Sequence, residues 1–302
     1  MPDATDLPDY FHFHHPLVRD LCWTLSPAFD LLEALPPYRR FVPTQSPEVL
    51  RKWLEHLQHH PQPLEAFVAE ASRRRLGLYF ERLILFYLSH APLAELRVLD
   101  HNRRIYTHNS HGNRITVGEL DFLLTSATAT VHLETAVKFF LGVEHAGEVH
   151  WLGPSLQDRL DRKLDRLRSH QLPLSQRLET PFEAPFQRYF WVKGILFQPL
   201  RLHLAAGAGL LVHPAENNWL TCSQAMECLE EEDWFYLPKP RWLGGECGDE
   251  EKQPVDRERI EQHFAENNRV LMLAHTRSAA RRLIVSDDWP AATRAALQAD
   301  SQ

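Results

Sequence analysis

A chain of 302 residues with 44% hydrophobic and 24% charged side chains is long enough for one large domain or two modest ones, and too apolar to stay unfolded. Its formal net charge of -7 excludes any global attraction to polyanions, so a nucleic-acid partner would need a locally basic surface. The longest wholly apolar run, LAAGAGLLV at 204–212, reaches about half of the roughly 20 residues that span a bilayer, which argues against a membrane helix and a membrane partner.

The opening MPDATDLPDYFHFHH lacks the basic and apolar regions of a secretory signal. Cys22, Cys222, Cys228 and Cys247 form no CxxC pair, and together these features predict a cytoplasmic location. HHPLVRDLCWTLSPAFDLLEALPP reads as one or two short helices punctuated by Pro16, Pro27 and Pro36–Pro37. In TQSPEVLRKWLEHLQHH, Ser46 stands as an N-cap and Pro47 at the first helical position, and Leu50, Trp53, Leu54 and Leu57 follow at helical spacing. Residues 1–62 are therefore expected to be a helical extension.

LGLYFERLILFYLSH is apolar nearly all round and predicts a buried helix. Inside it, Glu81 needs a cation, a metal or a proton. Three strands are expected next, over 96–106, GELDFLL (118–124) and VHLETAVKFF (131–140), with THNSHGNRIT as a polar loop between the first two. LQDRLDRKLDRLRSH then predicts a helix striped by Leu156, Leu160, Leu164 and Leu167. Its Asp158, Asp161 and Asp165 meet Arg159, Arg162, Lys163, Arg166 and Arg168, which reads as a solvated ion-paired face, with phosphate contact as the alternative. These elements mark out a second unit, residues 63–175. Past the proline-rich LPLSQRLETPFEAPF, strand-like FWVKGILFQPL, LHLAAGAGLLVHP and DWFYLPKPRWL, helix-like SQAMECLEE and a helix leading into a strand from QPVDRERIEQHFAENN to RVLMLAH give an α+β unit over 176–302.

The chemistry concentrates in the two strands of residues 118–140. With side chains alternating, Leu120, Phe122 and Leu124 face one way and Glu119, Asp121 and Leu123 the other. In the next strand Val131, Leu133, Thr135, Val137 and Phe139 oppose His132, Glu134, Ala136 and Lys138. If the Glu81 helix lies over the charged face, three carboxylates and an ammonium converge away from water. A divalent ion relieves such crowding, and oxygen ligands favour Mg2+ or Mn2+. The implied reaction is metal-assisted phosphodiester hydrolysis, with Arg73, Arg74 and Arg75 as a basic edge for phosphate.

An acid on the first helix, a G-E-hydrophobic-D strand start, then an acid and a lysine on the following strand resemble the PD-(D/E)XK nuclease superfamily. The match rests on Glu81 in LYFERL, Asp121 in GELDFLL, and Glu134 with Lys138 in HLETAVKFF. It implies a restriction-endonuclease-like α/β core, a mixed sheet flanked by helices, in which Asp121, Glu134 and Glu81 hold the metal and Lys138 serves catalysis. Gln171 in HQLPLS is similar to a glutamine that some RecB-type nucleases carry in the following helix, and is a further candidate phosphate contact. Over nearly its full length the chain also resembles the bacterial family catalogued as domain of unknown function 1853, through HPLVRDLCW, GLYFERL, GELDFLL, HLETAVKFFLG, WLGPSLQDRLDRKLDRL and WVKGILF.

One spacing departs from the superfamily. Its E-x-K is E-T-A-V-K here, Ala136 takes the usual acid position, and at roughly 3.3 Å per strand residue Glu134 and Lys138 lie about 13 Å apart at Cα. Two functional readings follow: a Mg2+- or Mn2+-dependent nuclease, and a catalytically inactive nuclease-like scaffold that binds nucleic acid or protein.

Overall fold

The computed structural model describes residues 12–69, 75–92, 96–178, 186–200, 217–228, 233–245, 253–267, 270–276 and 278–300, with 202, 204, 205, 207 and 209–211 between them. Its N-terminal third is helical: α1 (Pro16–Leu25), α2 (Pro47–His59), α3 (Gln62–Val68) and α4 (Leu76–His90), with the two-residue strand β1 (Arg39–Arg40) after α1. Ser46 caps α2 as its sequence predicts. The Ser46 Oγ accepts the Val49 N–H at 3.3 Å, and Pro47 fills the first helical position, where no N–H is needed. Tyr79, Phe80, Leu83, Ile84, Phe86 and Tyr87 of α4 are all buried, as a helix apolar nearly all round should be.

The strands β2 (Arg97–His108), β3 (Arg114–Thr125), β4 (Thr130–His145) and β5 (Glu148–Leu152) follow. They lead into α5 (Leu160–Arg166), a π-helical turn (Leu167–Gln171) and a 3₁₀ stretch (Leu172–Arg177). The helix expected from Leu156 thus begins four residues late, because Leu156 itself is in the left-handed region at φ 62°. The remaining elements are β6 (Phe186–Pro199), β7 (Asn218–Thr221), α6 (Cys222–Cys228), β8 (Trp234–Tyr236), β9 (Gln253–Pro254), α7 (Arg257–Asn267), β10 (Leu271–His275), β11 (Arg281–Val285) and α8 (Trp289–Asp300). The stretch LHLAAGAGLLVHP (202–214), expected as a strand, contributes a single bridge, Leu32 to Leu210, among the described residues.

Among the described residues, eleven strands join one mixed sheet, in the order β2-β3-β4-β6-β7-β11-β10-β8-β9, with β1 on β6 and β5 on β4. The sheet runs straight through the boundary drawn at residue 175: β6 pairs in parallel with β4 from Thr130–Phe186 to Leu141–Phe197. β6 is buried on both faces from Phe190 to Gln198, and a strand covered on both sides needs a continuous apolar run rather than alternation. The one charge within that buried run, Lys193, is matched: the ammonium lies 2.6 Å from Asp30 Oδ1 and 2.7 Å from the Ser26 carbonyl, while Arg40 takes Asp30 Oδ2 at 2.8 Å. These bonds pin the loop after α1 to the sheet.

One face of the sheet packs on α1, α2, α3 and α4 through residues such as Leu133, Val137, Leu83 and Tyr87. The other packs Phe140, Phe190, Val192 and Leu196 against Leu31, Leu160, Leu167 and Leu172. Polar bonds tie the C-terminal half to α1. Arg19 donates to the Gly244 carbonyl at 2.9 and 3.1 Å, Asp20 accepts the Gly244 N–H at 2.7 Å and the Tyr79 hydroxyl at 2.6 Å, and buried Arg281 donates to the carbonyls of Trp242 and Leu243. Trp219, Trp234 and Trp242 are buried core residues. Among the described residues, no helix is long and apolar enough to cross a membrane.

Candidate functional site

The site is made by a ladder that stops. β3 and β4 pair only from Thr125–Thr130 to Phe122–Leu133. At the next position the backbones part, and two carboxylates take over their hydrogen bonds. Asp121 Oδ2 accepts the Thr135 N–H at 2.7 Å and the Thr135 hydroxyl at 3.2 Å, while Glu134 Oε1 accepts the Asp121 N–H at 3.5 Å. Asp121 and Glu134 are thereby fixed by each other's strand.

The faces differ from simple alternation. Phe122 and Leu124 join the core under α4, whereas Leu120 packs with Leu174 and Ile105. Across the β2–β3 pair, Asn102 stands level with Asp121 in the left-handed region at φ 53°, and the register shifts on either side of it, between Val98 and Asp100 and between Ile105 and Tyr106. A second correction concerns α4. It covers the apolar face of β4, not the charged one, because Leu83, Ile84 and Tyr87 bury themselves against Val131, Leu133 and Val137. Glu81 nevertheless reaches the carboxylates electrostatically where the strands separate.

The charged face is covered by α5 and its π turn. The wide turn, with the Leu172 N–H bonded to the Leu167 carbonyl, sets Gln171 over Glu134. Gln171 Nε2 donates to Glu134 Oε2 at 2.7 Å, and its Oε1 accepts the Lys163 ammonium at 2.8 Å. His132 Nε2 lies 2.7 Å from Glu134 Oε1. Gln171 is thus engaged with an acid rather than standing open to phosphate.

Burial pushes the Glu81, Asp121 and Glu134 carboxyls each up to about 7, and their mutual repulsion adds to this at Glu81 and Asp121. Burial lowers the Lys163 ammonium, which Glu134 and Asp121 hold up in turn, and lowers His132 to about 4, so the imidazole is neutral. Lys163 is the cation that opposes all three acids.

Lys138 is not brought to this pair. Its ammonium is 2.9 Å from Asp158 Oδ1, near the surface. Glu119 is exposed and faces Arg104 at 3.4 Å. Arg75 is exposed at the start of α4, and Arg73 and Arg74 lie outside the described residues. Among the described residues, no three His, Cys, Asp or Glu side chains are grouped closely enough to hold a metal ion. Asp121 and Glu134 form the tight pair, and Glu81 stands off from it.

Lys163 had a legible signal. It lies three residues after Leu160 and four before Leu167, so within the charge run of 158–168 it shares the buried stripe, as does Gln171 four residues beyond Leu167. Its neighbours in the run point to water.

The family model described as "Domain of unknown function (DUF1853)" matches residues 19–288. The chain belongs to this family. The match spans α1 to β11 and so takes in every residue of the site. No curated protein and no solved structure matches the DUF1853 chain.

The raised carboxyls set a pH dependence. Asp121 and Glu134 ordinarily titrate at 3.8 and 4.5 but hold their protons to about 7 in the fold. Between these values the folded protein binds more protons than the unfolded chain, so stability from these groups is present at low pH and is lost as pH rises toward 7. In the absence of divalent cation, thermal unfolding is expected to show a loss of more than about 1 kcal/mol between about pH 5 and pH 8. Asp121→Asn should flatten the slope. Stability that rises with pH over this interval, relative to Asp121→Asn, would contradict the burial of these acids.

Proposed function

We propose that this DUF1853 protein is a Mg2+- or Mn2+-dependent phosphodiesterase of the PD-(D/E)XK nuclease type, cytoplasmic, with a restriction-endonuclease-like core formed by α4, β2, β3, β4 and α5. The observation that carries the reading is the Asp121–Glu134 pair, Glu134 buried and Asp121 half-buried, set where the β3–β4 ladder ends and opposed by the Lys163 ammonium. The donor set suits the metal: Mg2+ commonly binds through one or two carboxylates and completes its shell with water and substrate phosphate. Asp121 and Glu134 would hold it, with Glu81 acting at longer range. When bound, the ion supplies Lewis acidity and a more acidic water.

The chain's own residues do the rest. Thr135 orients Asp121, and Gln171 and His132 orient Glu134. Lys163 offsets the negative charge that grows on a phosphate under attack. Glu81, titrating at about 7, is suited to take up or release a proton at neutral pH. The local basic surface that a nucleic-acid partner requires flanks the site on both sides. The β2–β3 hairpin carries Arg97, Arg103, Arg104 and Arg114 against Asp100, Glu119 and the site's own Asp121, and the run 158–168 carries five basic residues against three acids. His170 Nε2, 3.1 Å from the Val117 carbonyl, joins the two.

A second reading, a catalytically inactive scaffold, is favoured by one feature: both Glu134 oxygens are already hydrogen-bonded and Lys138 is tied to Asp158. The deciding experiment is hydrolysis of single- and double-stranded DNA and RNA in magnesium or manganese, beside calorimetric manganese titration, for wild type and Asp121→Ala. The nuclease reading expects cation binding and hydrolysis that both vanish in the variant. Identical behaviour of the two proteins leaves the scaffold.

A further inference from the structure

On the α4 side of the sheet, connected to the Asp121–Glu134 pair through Glu81, lies a cleft of about 230 Å³ lined by Leu78, Glu81, Arg82, Leu85, His101, Asn102 and Phe122. Glu81 belongs both to this cleft and to the acidic cluster, and Phe122 follows Asp121 in the chain. The floor is apolar: Phe122 and Leu85 are buried, and Leu78 keeps 48% of its surface in water although it lies on a helix whose other large residues are mostly covered. The rim is polar. Arg82 is held rigidly there, its Nε donating to the Phe67 carbonyl at 2.8 Å and its guanidinium 4.0 Å above the Phe67 ring. His101 is exposed, and Asn102 holds the left-handed conformation that re-aims β2 beside the cleft.

We infer that this cleft takes one unpaired nucleobase of the substrate strand, adjacent to the phosphate at Asp121 and Glu134. The inference rests on the proposed nuclease function and deepens it by naming the substrate as single-stranded. A phosphate fits the cleft poorly, since its floor is hydrocarbon and its wall includes the Glu81 carboxyl. A purely apolar ligand would offer nothing to the polar groups of Glu81, His101 and Asn102. A base satisfies both parts: an apolar π face for Leu78 and His101, and an edge of donors and acceptors for the rim. A base within a duplex has its faces stacked and its edge paired, so it would first have to be flipped out at a cost of about a few kcal/mol, which an unpaired base does not incur. The strand's phosphates would meanwhile run along the arginines of the β2–β3 hairpin.

The test compares binding of a fluorescent oligothymidylate with that of the same sugar-phosphate strand lacking bases, by anisotropy in EDTA, where hydrolysis does not compete. Wild type should prefer the strand with bases by about tenfold. Leu78→Asp and His101→Ala, both at exposed positions, should each shrink that preference toward unity; His101→Ala should leave binding of the abasic strand unchanged, while the carboxylate of Leu78→Asp also weakens binding of both strands alike. Equal affinities in wild type, a preference that survives both variants, or binding of neither strand overturns the inference. Hydrolysis assays run in parallel separate it from the function beneath it. Cleavage by wild type without base preference sinks the cleft alone. A base preference lost in Leu78→Asp, with no cleavage in any cation, keeps the cleft as a strand-binding feature and sinks the nuclease.

Discussion

Lys163→Ala is expected to lower cation-dependent hydrolysis by about 10²-fold or more, whereas Lys138→Ala should leave it within a few-fold of wild type. The reason is placement. Lys163 is held against Gln171 at 2.8 Å and opposes the charge of Glu81, Asp121 and Glu134, in surroundings dry enough to depress its own ammonium. There a unit charge interacts more strongly than it would in water. Lys138 sits nearer the surface on Asp158, whose side chain is 55% exposed, and such pairs contribute about 0–1 kcal/mol. The kinetic split carries further information. Loss of Lys163 should fall on kcat more than on KM if the ammonium acts on the reacting phosphate, and Lys163→Arg, which keeps the charge, should recover part of the rate. A silent Lys163→Ala beside an inactive Lys138→Ala would hand the lysine's role back to the E-T-A-V-K strand, through a movement that brings Lys138 off Asp158.

That reversal between two lysines illustrates what the sequence can and cannot specify. Alternation in VHLETAVKFF correctly separates Leu133 and Val137 from His132 and Glu134, because a strand's period is set by its backbone alone. The Ser46–Pro47 start of α2 is legible for the same local reason. Which element covers which face is not local. α4 and α5 are both candidates for the charged side of β4, and the choice follows from how well each matches the apolar side: α4 has enough hydrocarbon to fill it, and α5 brings Lys163 and Gln171 to the other. The end of the β3–β4 ladder beside Asp121 is not legible for the same reason, since it depends on how three strands meet: Asn102 stands level with Asp121 at φ 53°, and the β2–β3 register shifts on either side of it. Likewise the expected division at residue 175 reads a proline-rich stretch as a boundary. The chain there makes a crossover between two parallel strands, β4 and β6, and parallel pairing leaves no short-range trace.

Gly194→Ala is expected to abolish folding, at a cost above about 4 kcal/mol, the range reserved for changes the core cannot absorb. Gly194 is paired with Lys138 in the β4–β6 register and holds φ +152°, a conformation in which side chains are strained. A Cβ there would lie 1.6 Å from the Lys138 carbonyl oxygen, 2.7 Å from its carbonyl carbon and 3.0 Å from Leu31 Cδ1. The first two obstacles are backbone, and neither strand can retreat. β6 is buried on both faces at this point, and β4 is paired with it on either side of Lys138, from Thr130–Phe186 to Leu141–Phe197. Relief would require the two strands to separate, four residues from Glu134, so even a fraction that folded should lose the pairing that positions the carboxylates. Gly77→Ala is the matched control. Nothing lies within 4 Å of its Cβ in the first turn of α4, and the change should be neutral or stabilise by up to about 1 kcal/mol through the reduced freedom of the unfolded chain. Soluble yield, far-ultraviolet circular dichroism and melting temperature compare the two. A Gly194→Ala protein that melts within a few degrees of wild type would mean that β4 and β6 do not pair in this register, and the placement of Glu134 opposite Phe190 would fall with it.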